Sequence, residues 1–187
     1  MDNSFAERLN TLQNEYYETH KKNTIFKNNQ KKECAAMVLN SVSLEELLNK
    51  TAYILTDTNR VYIDYIVLKT FAVEHTYSNI INHICSLFKQ CIEKYNNYEC
   101  HVNLLSNTIT ACERHKSIFN YLIEDCRRNN NVYITHLSKF CIYNSPSTIS
   151  TIVKMLLPIM SPVIKAKMTL FDKIESPTRI QYLHQNI

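Results

Sequence analysis

Apolar positions recur along this chain in two registers, and the switches between them mark out the elements. The plainest helical register covers Tyr77–Tyr95, where Ile80, Ile84, Leu87 or Phe88, Cys91 and Tyr95 return at steps of three and four. Thr76 or Ser78 is placed to cap this helix, and Asn96-Asn97 to stop it. A second amphipathic helix is expected over His115–Cys126, with Ile118, Phe119, Leu122, Ile123 and Cys126 inward, ending at Arg127-Arg128-Asn129-Asn130-Asn131. Towards the N-terminus, residues 3–30 can form a helix with Phe5, Leu9, Leu12 and Tyr16 on one face. A shorter helical pattern follows over Lys32–Leu39. Ser43 with Glu46 three residues later is a capping box that starts a helix running through Asn49.

Between the helical stretches lie short β-rich runs: Thr51–Leu55, Arg60–Leu68, Cys100–Leu105 and Phe140–Tyr143. Asp57-Thr58-Asn59 turns the first into the second, and Asn144-Ser145-Pro146 closes the last. Val132–Leu137 bridges into that last strand. Beyond it, Ser147 or Thr148 can cap a helix carrying Ile149, Ile152, Val153, Leu156, Leu157 and Met160 at helical spacing. Pro158 should kink or end that helix, and Pro162 stop it. Lys165-Ala166-Lys167 then leads into a short strand, Met168–Phe171. The tail from Ser176 offers Ile180, Tyr182 and Leu183 as a last docking turn. Strands alternating with helices predict an α/β fold with a largely parallel sheet flanked by helices. Residues 1–50 are expected to form a helical N-terminal extension and 51–187 the α/β domain. If 51–68, 100–105 and 138–143 were instead helical, the chain would be an all-α interaction domain.

Composition narrows the chemistry. The chain has 187 residues, 45% of them hydrophobic, enough for one domain with a real core. It contains no glycine. The phosphate-cradling loops, the dinucleotide turn and the strand-to-helix nucleophile elbow all need glycine for positive φ or close backbone approach, so those activities are not expected. Asparagine can take left-handed positions in its place. A chain rich in Asn, Ile, Lys and Tyr and poor in Gly is typical of AT-rich genomes, those of large DNA viruses among them. The net charge of +4 is mild, and Lys21-Lys22 through Lys31-Lys32 reads as a solvated helix face, so no nucleic-acid partner is expected. With neither a signal-like N-terminus nor a transmembrane-length apolar run, the expectation is a soluble, cytoplasmic protein. The seven cysteines are scattered and lack a C-x-x-C pair, so they read as reduced core residues.

No cluster carries catalytic or metal chemistry. Cys112 with His115 and Cys100 with His101 lack a second pair at zinc spacing and read as a core cysteine beside a surface histidine. Glu45-Glu46 is explained by capping, and Glu124-Asp125 lies at a helix end. The expected activity is therefore not enzymatic, and neither a metal nor a cofactor is called for.

The stretch from Ser138 to Phe171 resembles the signature half of the CRAL-TRIO lipid-binding domain. The residues that carry the likeness are Ile142-Tyr143-Asn144-Ser145-Pro146, the apolar helix ending Leu157-Pro158-Ile159-Met160-Ser161-Pro162, and Ala166-Lys167-Met168. Asp57-Thr58-Asn59-Arg60-Val61-Tyr62 resembles the fold's opening strand, and Asn103 stands near a position where the family usually has Asp. The resemblance implies a cavity for a lipid or other hydrophobic small molecule, gated by the 149–160 helix. Ile149, Ile152, Val153, Leu156, Leu157 and Met160 would contact the ligand. Lys167 holds the place of a lysine that meets a phosphoinositide headgroup in some members. Those members also carry a Tyr-Pro-Glu element before the signature strand. Here the element is Val132-Tyr133-Ile134-Thr135, with Thr135 in the glutamate's place, which argues for a generic hydrophobic ligand over phosphoinositide exchange. The implied partners are that ligand and a membrane surface met peripherally. In members whose cavity is closed, the partner is a protein, which here would make the chain a viral accessory or virion module.

Overall fold

The computed structural model describes residues 3–20, 27–129, 131–151 and 161–185. Three helices come first: α1 (Asn3–Thr19), α2 (Lys27–Ser41) and α3 (Leu44–Thr51). Strand β1 (Ala52–Ile54) turns into β2 (Arg60–Asp64), followed by α4 (Tyr65–Phe71), a 3-10 turn (Glu74–Thr76) and α5 (Tyr77–Tyr95). Strand β3 (Tyr98–Asn103) leads through α6 (Ile109–Arg114), α7 (Lys116–Arg128) and α8 (Val132–His136) to β4 (Leu137–Tyr143). Last come α9 (Pro162–Ala166), β5 (Met168–Leu170) and α10 (Ser176–Gln185).

The five strands form one sheet in the order of the chain, β1-β2-β3-β4-β5. β1 and β2 pair antiparallel, and every later pair is parallel. This is the α/β architecture with a mostly parallel sheet flanked by helices that the alternation predicts, not an all-α domain. Strand alternation assigns the two faces. On one, Val61, Tyr98 and Cys100 join α5 and α7 in the main core, with Val102 and Phe140 packed against it. On the other, Tyr62, Cys141 and Tyr143 form a smaller cluster with Leu183 of α10. Phe5 and Leu9 of α1, Val38 of α2 and Leu47 of α3 belong to the main core.

A chain without glycine turns on short polar residues. Asp57, Asn96, Ser106, Asn131 and Asn144 all hold positive φ. Asn and Asp tolerate this because their side chains bond locally. Asn96 ends α5 at φ 59°, as its position predicts. Asn144 breaks away from the end of β4, where its Nδ2 donates to Asn103 Oδ1 at 2.9 Å. Ser43 caps α3 by accepting from the Glu46 N–H at 3.2 Å.

Several elements differ from expectation. The strand expected over Arg60–Leu68 stops at Asp64, and Ile66, Val67 and Leu68 are helical. The Asp64 carboxylate accepts the Ile66 N–H at 2.8 Å and caps α4, which outweighs the β-branched composition. Helix α1 ends at Thr19, short of residue 30, and α2 is longer than Lys32–Leu39. The 132–137 bridge is a turn of helix. Pro162, expected as a helix stop, opens α9, because the Ser161 hydroxyl accepts from the Val163 N–H and the ring needs no N–H at the first helical position. In α10, Leu183 is buried and Tyr182 is 67% exposed. His101 and His115, expected at the surface, are both buried. The apolar helix expected over 149–160 lies largely outside the described residues.

Candidate functional site

Where the helices of the β3-to-β4 crossover rest on the sheet, they leave a cavity of about 410 Å³. Its floor is the helix-facing row of β3 and β4: Tyr98, Cys100, Val102 and Leu104, then Leu137, Phe140 and Ile142. Its roof is Phe119, Leu122, Ile123 and Cys126 of α7 with Tyr133 and Ile134 of α8. Ile164 and Met168 close the β5 side. The cavity exists because α7 seats only part of its apolar stripe in the core. Ile118 and Cys126 are buried against α5, while Leu122 and Ile123 remain half-buried above the strands.

The two ends of the cavity differ. At the C-terminal end of β3, Asn107 is internally satisfied: its Nδ2 donates to Cys112 Sγ at 3.1 Å and its Oδ1 accepts from the Thr108 N–H. At the opposite end, beside the start of β4, the lining includes the exposed Arg127 and Asn131. Between the ends, burial pushes the Cys126 thiol up to about 11 and the Cys100 thiol to about 12. The Tyr133 phenol is raised to about 12 for the same reason. These thiols stay protonated at neutral pH, so they line the cavity as small apolar surface and not as nucleophiles.

Of the residues expected to hold a ligand, Ile149 lines this cavity. Ile152, Val153, Leu156, Leu157 and Met160 lie outside the described residues. Ile149 and Ser161, on either side of that segment, both line the cavity. Lys167 does not belong to the lining; its ammonium is half-buried and donates to the Leu137 carbonyl. Thr135 is exposed on α8. Of the strands expected to frame a cavity, Cys100–Leu105 does so, whereas Val61 of β2 packs in the main core. In the sequence the α7 face reads as plain core, and Arg127 to Asn131 as a helix stop. A half-empty face has the same periodicity as a filled one.

Other polar groups lie away from this cavity, and His115 Nε2 is buried without a hydrogen-bond partner among the described residues. His115 is 4% exposed, and its Nδ1 meets the Tyr77 hydroxyl at 3.2 Å. Burial, with the nearby Arg114, lowers it to about 4, so it is a neutral core histidine and not the partner of a Cys112 thiolate. Among the described residues, no three His, Cys, Asp or Glu side chains converge on a point that could hold a metal ion. A larger hollow of about 640 Å³ opens between α1, α3 and α4, where Phe5, Ile66 and Val67 stand beside Glu45, Glu46 and Lys50. On the far sheet face, Glu99 is held by His101 Nε2 at 3.2 Å, Lys139 Nζ at 3.1 Å and Arg60 Nε at 3.5 Å. The Tyr143 hydroxyl sits 2.9 Å from His101 Nδ1. In this row every member has a hydrogen-bond or ion-pair partner.

Fold and cavity together define an α/β protein with an apolar chamber between its parallel sheet and the crossover helices. The chain matches no family model, and no curated protein is significantly similar to it in sequence. Among the described residues, no helix is long and apolar enough to cross a membrane.

Proposed function

We propose that this chain is a non-enzymatic binding protein for a lipid or other hydrophobic small molecule, with an arrangement of CRAL-TRIO type. One observation carries the reading: the cavity of about 410 Å³, whose lining is apolar apart from a few polar groups at its ends. That volume falls in the range of about 300–1,000 Å³ seen for small-molecule sites, and such sites hold their ligands chiefly by apolar contact. The chain order supports the family likeness. β4 ends in the left-handed Asn144, and β5 returns parallel beside β4. Ile149, the first residue of the segment read as a gate, and Ser161, just beyond its end, both line the cavity. Contact with a membrane surface would then serve loading and release.

The test is native mass spectrometry of the purified full chain, then organic extraction and identification of what is released. The expected result is a stoichiometric hydrophobic molecule. It should be lost on Ile123→Trp, which fills the chamber from its roof without removing a core contact. At a ligand concentration a hundredfold above Kd, binding adds about 2.7 kcal/mol, which raises Tm by roughly 5–10 °C. A bare mass, with no gain in Tm across a lipid panel, rejects the reading. The search would then turn to a protein partner, as for an accessory or virion module.

A further inference from the structure

We propose that the molecule held here is a single-chain amphiphile with an anionic head. Its tail lies along β3, and its carboxylate or phosphate sits between Arg127 and Asn131. The proposal rests on the hydrophobic-ligand reading above and adds the head group and the orientation.

Size decides for one chain. The volume of about 410 Å³ is near the lower end for small-molecule sites, which suits one alkyl chain better than two. Length agrees, since the floor from Tyr98 to Leu104 spans about 20 Å of extended strand.

Polar satisfaction decides the orientation. At the Asn107 end, the carboxamide is already bonded to Cys112 and to the Thr108 N–H. The Ser161 hydroxyl oxygen accepts from the Val163 N–H. At the other end, Arg127 makes no ion pair among the described residues, although two carboxylates stand on the same helix. Glu124 pairs with Arg128 at 3.8 Å, and Asp125 accepts from Asn129 Nδ2 at 3.2 Å. That leaves the Arg127 guanidinium, a planar fork of donors suited to a carboxylate or a phosphate. Beside it, the left-handed backbone of Asn131 turns the chain from α7 into α8, and its carboxamide can donate. The C-terminal end of α7 is the negative end of its dipole, so an anion gains nothing from the helix there. The attraction must come through Arg127, which makes that residue decisive.

Delipidated full-length protein should be titrated with palmitate, hexadecyl phosphate and the uncharged 1-hexadecanol. The wild type should bind either anion with one-to-one stoichiometry, about tenfold or more tighter than the alcohol. Preference between the two anions tells a free fatty acid from a phosphate-headed lysolipid. Arg127→Gln should cost about tenfold for the anions and leave the alcohol unchanged. Asn131→Asp, which sets a negative charge at the head position and keeps a residue that tolerates positive φ, should do the same. Both sites are exposed, so Tm without ligand should hold. Equal affinity for palmitate and hexadecanol, or no change in Arg127→Gln, overturns the head assignment while the chamber stands. If none of the three ligands binds, the hydrophobic-ligand reading itself falls.

Discussion

Replacing Glu99 with glutamine tests the far face of the sheet. Glu99 lies on β3 between Arg60 of β2 and Lys139 of β4, its cross-strand neighbours, and its side chain is 14% exposed. The His101 hydrogen bond is the main cause that holds its carboxyl at about 2 instead of the usual 4.5, with Lys139 adding to it against the cost of burial. A carboxyl depressed in the folded state stabilises the protein above its ordinary range and loses that contribution as pH falls towards 2. At about 1.4 kcal/mol per pH unit the depression corresponds to about 3 kcal/mol. Lys139 is 64% exposed and solvent-screened, which brings the expected figure to on the order of 2 kcal/mol. Glu99→Gln should therefore be less stable than wild type at neutral pH by that amount, seen as a Tm lower by roughly 4–8 °C. The gap should close as the pH is lowered through about 4 towards 2.5, where the wild-type carboxylate is protonating. Urea unfolding of both proteins across that pH range provides the measurement, and titrating groups not in contact with Glu99 cancel in the difference. A gap that stays constant with pH would refute the reasoning, because it would mean that Glu99 acts through packing alone.

Asp64 should behave in the opposite sense. Burial raises its carboxyl, so its ionised form is disfavoured in the folded state and its stabilising effect is lost as pH rises. At neutral pH, Asp64→Asn should match or exceed wild type, whereas Asp64→Ala, which loses the cap on Ile66, should cost about 1 kcal/mol by urea unfolding. Ile80, fully buried on α5, should cost about 2–5 kcal/mol when cut to alanine, with Tm as the readout. All seven cysteines are buried, and burial raises thiols such as Cys91, to about 11, and Cys126, to about 11. Native protein should therefore react slowly with a thiol reagent and denatured protein quickly; a fast native thiol would contradict the packing.

Much of the fold was legible in the sequence, because local periodicity carries it. Tyr77–Tyr95 is read to the residue, since eight of its side chains are buried along one stripe. Ser43, Asn96 and Asn144 act where the sequence puts them, because capping and left-handed turns are decided within four residues. The absence of glycine marked in advance which site chemistries were not to be expected. What lies beyond a few residues was not legible. Tyr65–Leu68 reads as the end of a strand, yet Asp64 caps it as the start of a helix and α1, α2 and α3 pack around it. His101 reads as a surface residue, but the sheet aligns Glu99, Tyr143 and α10 around it. The chamber is the sharpest case. Ile118, Leu122 and Ile123 share one periodic face, and nothing in the sequence separates those that fill the core from those that roof a void. That division, and the Arg127 without an ion pair among the described residues beside it, depends on how far α7 stands off β3 and β4, a distance that only the tertiary packing sets.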